Sequence, residues 1–323
     1  MPMTTVDNHH IDAVFPDAQE LLTTLNSIKP DAKVTADIAF TEDGLTVHWI
    51  NKSKSLQSGI FLGKKLFEQY SLTSVVEFTV DVITLLSVLK VFIASDVGAI
   101  HMEYPGPNRE FILKSSIRQS GSSAPTQDEY LLPTAYAKIE TMAYASSANL
   151  LEYFNEPSSS ILGKGSIFKD AIEDVTMASK DVLVEMKDRP QQLTFSSVSP
   201  EIEVYVDVPV DSLSAFACET PIVEARYNKK YLLNAFSVSP GNTAELGPDS
   251  HLCKVAIDPE GLMKVTHMWK MMPRNIAEQS TMGGDVHDES KQVMVVTQYV
   301  ILPMIDGVDD NESEFNDMSS RAQ

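Results

Sequence analysis

Cysteine is scarce in this chain: Cys218 and Cys253 are the only two among 323 residues. Neither lies in a C-x-x-C and no metal-ligand spacing forms around them, which excludes a disulfide framework and a cysteine-based zinc site. Two thiols in so long a chain suit a reducing compartment, the cytosol or the nucleus. Positive charge is scarce as well. Lys and Arg number 25 against 45 Asp and Glu, a formal net charge of −20, which argues against a protein that coats nucleic acid over its whole surface, though not against a local basic face. Long apolar runs are missing. The most hydrophobic stretch, Val75 to Ile100, is broken by Glu77, Asp81, Lys90 and Asp96, charges that are costly in a bilayer. The N-terminal MPMTTVDNHHIDAVF has neither the basic nor the apolar part of a secretory signal, so no membrane association is expected.

Catalytic signatures are absent too. Gly59-Ile-Phe-Leu-Gly63-Lys64-Lys65 is one residue short of P-loop spacing and lacks the Ser/Thr metal ligand. Gly163-Lys164-Gly165-Ser166 reads as a flexible linker end rather than an anion cradle on helix amides. No G-x-S-x-G occurs, and His251-x-Cys253 is an isolated pairing. His101-Met102-Glu103 matches half of a deaminase zinc site without its P-C-x-x-C partner. Asp170, Glu173 and Asp174 share the polar face of one short helix and read as solvated charge, not as a nuclease metal site. No catalytic residue, metal ligand or cofactor is expected.

What is present is ordinary globular chemistry, 43% hydrophobic and 22% charged, at a length that suggests two domains and needs no cross-link to fold. Residues 1–13 are polar and read as a frayed terminus. A helix is expected over 17–28 from the stripe Ala18, Leu21, Leu22, Leu25 and Ile28. A hairpin over 33–50 follows, turned at Glu42-Asp43-Gly44, then strands over 57–62, 66–72 and 75–80. Val82, Leu85, Leu86, Leu89 and Phe92 mark a second helix, and strands follow over 100–104, 110–117 and 130–142, with a loop at 119–127. Residues 144–165, rich in Ser and Gly around the apolar knot Leu150, Leu151, Tyr153 and Phe154, read as a connector.

The order then restarts. A helix over 166–175 leads into a hairpin over 182–198, a strand over 201–208, an irregular stretch and a strand over 223–227. A helix over 229–236 with Asn228 as N-cap comes next, then strands over 252–257, 262–269 and 293–302, with a flexible insertion at 271–291. The last twenty residues carry six acids and one base and read as a disordered tail. This repeated order implies an α+β chain of two similar domains, 14–143 and 166–303, each a mostly antiparallel sheet with two helices on one face.

VEARYNKKYLLNAF, HLCKVAIDPEGLMKVTHMWK and VTQYVILPMIDGVDDNE resemble the C-terminal half of PCNA-type sliding clamps. LQSGIFLGKKLFEQY followed by VEFTVDVITLLSVLKVF is similar to the Rad-one branch of the checkpoint clamp, the Rad-nine/Rad-one/Hus-one ring. The resemblance covers about residues 14–305 and rests on apolar patterns, not on an invariant catalytic motif.

The resemblance implies a PCNA-like fold and a nuclear subunit of a three-membered ring around duplex DNA, with a Rad-nine-like and a Hus-one-like chain as its neighbours. A clamp loader would place the ring, which would recruit checkpoint kinases and repair enzymes. The helices at 17–28, 82–92, 166–175 and 228–236 would line the hole. The connector, through Leu150, Leu151, Tyr153 and Phe154, would border a partner groove. Replicative clamps line the hole with many lysines and arginines, because phosphates attract them. Only Lys90, Lys164, Lys169, Arg226, Lys229 and Lys230 stand on or beside these helices, which implies weak, load-dependent contact with DNA. Two alternatives stay open: a 3′-to-5′ DNA exonuclease and a non-clamp interaction scaffold.

Overall fold

Each of the four helices starts where a strand stops, and side-chain caps mark the starts of α1, α2 and α4. In the first half β1 (Ile11–Phe15) runs into α1 (Ala18–Asn26), where Asp17 accepts the Glu20 N–H at 3.0 Å. Likewise β6 (Val76–Asp81) runs directly into α2 (Val82–Ala94), and the Asp81 carboxylate accepts the Thr84 N–H at 2.6 Å. In the second half β11 (Ser159–Lys164) leads into α3 (Gly165–Val175), and β16 (Ile222–Asn228) into α4 (Lys229–Phe236). Asn228 accepts the Lys230 N–H at 2.9 Å. Each bond satisfies one of the donors that a helix start leaves open. The computed structural model describes residues 10–28, 34–94, 97–117, 134–144, 149–176, 178–238, 251–271 and 293–304.

The remaining strands fall into matching positions. The first half holds β2 (Thr35–Thr41), β3 (Gly44–Ile50), β4 (Leu56–Gly63), β5 (Gln69–Leu72), β7 (Val97–Tyr104), β8 (Phe111–Ile117) and β9 (Thr134–Ile139). A two-residue strand, β10 (Met142–Ala143), closes it. The second half holds β12 (Asp181–Lys187), β13 (Gln192–Val198), β14 (Glu203–Val208), β15 (Ala215–Cys218), β17 (His251–Ile257), β18 (Met263–Met271) and β19 (Val293–Ile301).

The pairing repeats strand for strand. The five strands β5-β1-β7-β8-β9 form one sheet, and their counterparts run β15-β11-β17-β18-β19. The set β6-β2-β3-β4 has its counterpart in the four-stranded sheet β16-β12-β13-β14. All ladders are antiparallel. The halves join where β4 pairs with β19 from Leu56↔Ile301 to Leu62↔Val295, making one ten-stranded sheet. Each half therefore has two sheets with helices packed on them, not the one sheet expected from the element order.

Side chains from both halves tie down the end of α1. The Trp49 indole N–H donates to the Ile28 carbonyl at 2.9 Å, the Ser58 hydroxyl donates to the same oxygen at 3.1 Å, and the Tyr299 hydroxyl donates to the Ser27 carbonyl. These bonds satisfy carbonyls that a helix C-terminus leaves open. Gly44 closes the β2–β3 turn at φ +152°, where a Cβ would sit 2.1 Å from the Leu62 carbonyl. Only glycine fits that approach.

Several sequence expectations change. Residues 11–13 belong to β1, with Ile11 and Ala13 fully buried between β5 and β7, and are not a frayed end. The stretch 66–72 divides into a 3-10 turn, Lys64–Leu66, and β5. Within 130–142, β9 and β10 join different sheets. The end of the expected connector, Ser159–Lys164, is β11, hydrogen-bonded on both sides, so Gly163-Lys164-Gly165-Ser166 is a strand-to-helix junction and not a linker end. The irregular stretch before β16 contains β15. The expected loop at 119–127 and the tail beyond 304 lie outside the described residues, as do all but the first residue of the insertion and part of the connector. Among the described residues no helix is long and apolar enough to cross a membrane.

Candidate nucleic-acid face and partner edges

The four helices carry four lysines, Lys90, Lys169, Lys229 and Lys230, and four carboxylates, Glu20, Asp170, Glu173 and Asp174. In a chain of net charge −20 the helical layer is thus balanced, so it repels a polyanion less than the rest of the surface does. Lys90 is exposed on α2 between Ser87 and Val91. Lys164 precedes α3 at its N-cap position, and Lys169 stands 3.9 Å from Glu173 one turn along. Lys229 and Lys230 form the first turn of α4, where the Lys229 N–H donates to the Lys180 carbonyl at 2.9 Å. The fold thereby brings the backbone of Lys180 to this turn, a neighbour with no sequence signal, since it rests on the β12–β16 pairing.

Arg226 stands on β16 just before α4. Its neighbours on β16, Ala225 and Tyr227, are buried, so Arg226 projects from the opposite face of that sheet. There its guanidinium reaches Asp181 at 3.0 Å. Its charge is thus met by a carboxylate that pairs across the sheet with Asn228, the N-cap of α4.

The apolar knot of the connector is anchored, not loose. Leu150 packs with Leu262 and Val300 across the β4·β19 seam, with Ile50, Leu151 and Phe154 around them. Gln57 on β4 accepts the Leu150 N–H at 2.5 Å and donates to Asn149 at 2.8 Å. The Lys264 ammonium lies 4.1 Å above the Phe154 ring, a cation–π contact. Tyr153 is 64% exposed. Leu150 is therefore part of the seal, while Tyr153 is available at the surface.

Two sheet edges stand out. Edges β5, β10 and β15 are four residues or shorter, and β16 is met by the Met304 N–H at 2.7 Å on the Arg226 carbonyl. The six-residue strands β9 and β14 are open on one side among the described residues. By topology β14 is the counterpart of β4 and β9 that of β19, so the two open edges are the two sides of the seam that closes inside the chain.

Among the described residues no group of three or more His, Cys, Asp and Glu is arranged to hold a metal ion. Asp170, Glu173 and Asp174 sit along exposed positions of α3.

A family model for the repair proteins Rad1/Rec1/Rad17 matches residues 10–240. The chain belongs to this family. Membership makes it a subunit of the DNA damage checkpoint clamp, with the clamp-loading and DNA-binding role general to such rings, and a non-catalytic scaffold rather than an exonuclease. Among solved structures it is similar to PCNA from Thermococcus kodakaraensis, at 14% identity and a TM-score of 0.63, over 91% of this chain and 100% of that one. It is also similar to A. fulgidus PCNA solved with the C-terminal region of FEN-1, at 14% identity and a TM-score of 0.65, over 92% and 100%. At these identities the likeness speaks for the fold, a PCNA-like clamp of antiparallel sheets and helices. A search of curated proteins finds no match.

Proposed function

We propose that this chain is one of three different subunits of a ring that encircles duplex DNA, with a Rad-nine-like and a Hus-one-like chain as its neighbours. The observation that carries the reading is the pair of open edges. An unpaired strand of six residues invites association. The chain already shows how such an edge is closed, by the ladder of β4 with β19. Joining β14 of one chain to a β9-like strand of the next repeats that ladder head to tail, a heterologous contact that closes into a ring when the rotation allows. At −20 a ring of identical copies would bring like charges together, which favours different neighbours.

In this reading the two clamp domains begin at β1 and β11 and cover about residues 11–143 and 159–303, and the helices turn toward the hole. Lys229 and Lys230 on α4, with Lys164 and Lys169 at α3 and Lys90 on α2, meet phosphates without reading bases. The exposed Tyr153 and the rim of Leu151 and Phe154 receive peptides of checkpoint and repair proteins beside the anchored connector. PCNA of A. fulgidus has been solved with the C-terminal region of FEN-1, an arrangement that supports this part by analogy. A clamp loader and a nuclear site of action follow from the same reading.

The test is topological. Rings assembled from the three chains and loaded by their loader onto nicked circular DNA should stay bound, and cutting the circle should release them. Equal retention on circular and linear DNA would contradict an encircling role.

A further inference from the structure

The internal seam is a template for the two open edges, residue by residue, and it specifies neighbour chemistry; this rests on the ring reading above. The counterpart positions follow from the ladders. Asp81 and Asn228 each end the strand that enters a helix, and each faces the start of the next strand, Thr35 and Asp181. Counting across the sheets from that anchor, Asp37↔His48 corresponds to Leu183↔Ser196, and His48↔Gly59 to Ser196↔Tyr205. Gln57 and Gly59 on β4 therefore correspond to Glu203 and Tyr205 on β14, and Leu56 to Ile202. On the other side Phe111↔Ile139 corresponds to Met263↔Ile301, so Val300 and Gln298 on β19 correspond to Lys138 and Tyr136 on β9. This second anchor follows from β1 and β11, whose buried positions Ile11 and Ser159 pair with Tyr104 and Ile257.

In the closed seam Val300 faces Gln57 and Gln298 faces Gly59. Carried to the open edges, that register sets the position of Glu203 opposite that of Lys138, and Tyr205 opposite Tyr136. The burial pattern agrees. Leu56 is fully buried in the seam, while its counterpart Ile202 is 54% exposed. Tyr205 and Tyr136 are 61% and 65% exposed, large rings on edges with nothing across from them among the described residues. The Tyr205 hydroxyl donates to Glu203 at 3.3 Å, and Lys138 pairs with the half-exposed Glu110 at 3.0 Å, a contact that a carboxylate across the edge would share.

We propose that the neighbour received by β14 is a related clamp chain of lower negative charge whose edge strand sets a basic side chain opposite Glu203 and an aromatic ring opposite Tyr205. The neighbour received by β9 carries the reverse set, a carboxylate opposite Lys138 and an aromatic ring opposite Tyr136. Directly opposed pairs of these kinds stabilise a ladder, and like charges in the same places oppose it. Each junction of this chain is thereby keyed by a charge, acidic at β14 and basic at β9, so that the two edges receive strands of different chemistry.

The experiment co-expresses the chain with differently tagged Rad-nine-like and Hus-one-like subunits and measures which neighbours remain bound. Glu203→Lys should weaken one neighbour at least tenfold and leave the other within twofold. Lys138→Glu should do the opposite. Both residues are exposed, and an unchanged melting curve of each variant confirms folding. Retention of both neighbours by both variants, in a ring that the unaltered chain does form, overturns the keyed junctions while leaving the ring in place. A head-to-tail oligomer of this chain alone, lost in Glu203→Lys and restored when Lys138→Glu is added, would make a second copy the occupant and overturns the proposal as well. If the unaltered chain binds neither subunit, the ring reading itself fails.

Discussion

His251 and His267 meet nitrogen to nitrogen at 2.9 Å, and the other ring nitrogen of His267 lies 2.7 Å from the Ala235 carbonyl in the last turn of α4. Burial keeps both rings uncharged, so His267, as donor to that carbonyl, accepts from His251 and the pair is ordered in one direction. Gly165 opens α3 against the same ring: a Cβ there would sit 2.2 Å from His251. The pair thus lies under both helices of the second half. Burial lowers His251 to about 4. Burial, then the neighbouring His251, lowers His267 to about 3 against the opposing pull of the Ala235 carbonyl.

Acid should therefore loosen the second half. Each histidine is depressed below its unfolded value of about 6.5, so the unfolded chain binds protons first. The stability this holds is fully present above pH 6.5 and is lost as pH falls toward 4 and then 3. At pH 5 the loss at His267 amounts to about 2 kcal/mol. A thermal unfolding series from pH 7.5 to 5 should show a falling midpoint, and His267→Gln should flatten the slope. An equal slope in that variant would place the acid sensitivity elsewhere.

The sequence announces the helices well and the sheet pairings poorly. Val82, Leu85, Leu86, Leu89 and Phe92 are all buried, as their spacing requires, and Asn228 caps α4 as its type suggests. Both depend on local periodicity and local hydrogen bonding. Ser159 to Lys164 read as a linker because serine and glycine have no strand signal, yet pairing with β15 and β17 holds Ser159 buried. Asp12 and the polar residues before it hide β1 in the same way. Chain proximity sets Arg226 beside the α4 lysines, whereas its ion pair with Asp181 rests on the β12–β16 ladder. The open edges are not legible, because they are defined by β4 meeting β19 from the far end of the chain.

Lys229→Ala with Lys230→Ala should leave assembly intact and weaken retention on DNA. Removing one lysine–phosphate interaction flattens the log–log salt dependence by about one unit, equally across sequences. Arg226→Ala, which removes a guanidinium already paired with Asp181, should leave that slope unchanged. Release of loaded rings from end-blocked DNA across a salt series measures both. A double variant with the original slope would show the α4 lysines to be ordinary surface residues, and failed assembly would put α4 at a packing interface.

Leu150 and Tyr153 should separate sealing from docking. Leu150→Ala removes a buried side chain from the seam and should cost roughly 2–4 kcal/mol of stability. Tyr153→Ala, at an exposed site, should stay within about 0.5 kcal/mol yet weaken capture of repair-protein peptides. Denaturant unfolding and peptide titration tell the two apart. A Tyr153→Ala chain that binds peptide as before would remove this residue from the docking rim.

Tyr299→Phe should cost about 1–3 kcal/mol, since it leaves a buried helix-end carbonyl without its hydroxyl donor. The bond joins β19 of the second half to the end of α1 in the first. Denaturant unfolding should therefore show one shifted transition. Two separated transitions would mean that the halves unfold independently.

The most direct test of the whole account is a native mass measurement after co-expression with a Rad-nine-like and a Hus-one-like subunit. The account predicts a single one-to-one-to-one complex, and a monomer when this chain is purified alone. A stable homotrimer at micromolar concentration, or a chain that stays monomeric beside both candidates, would contradict it.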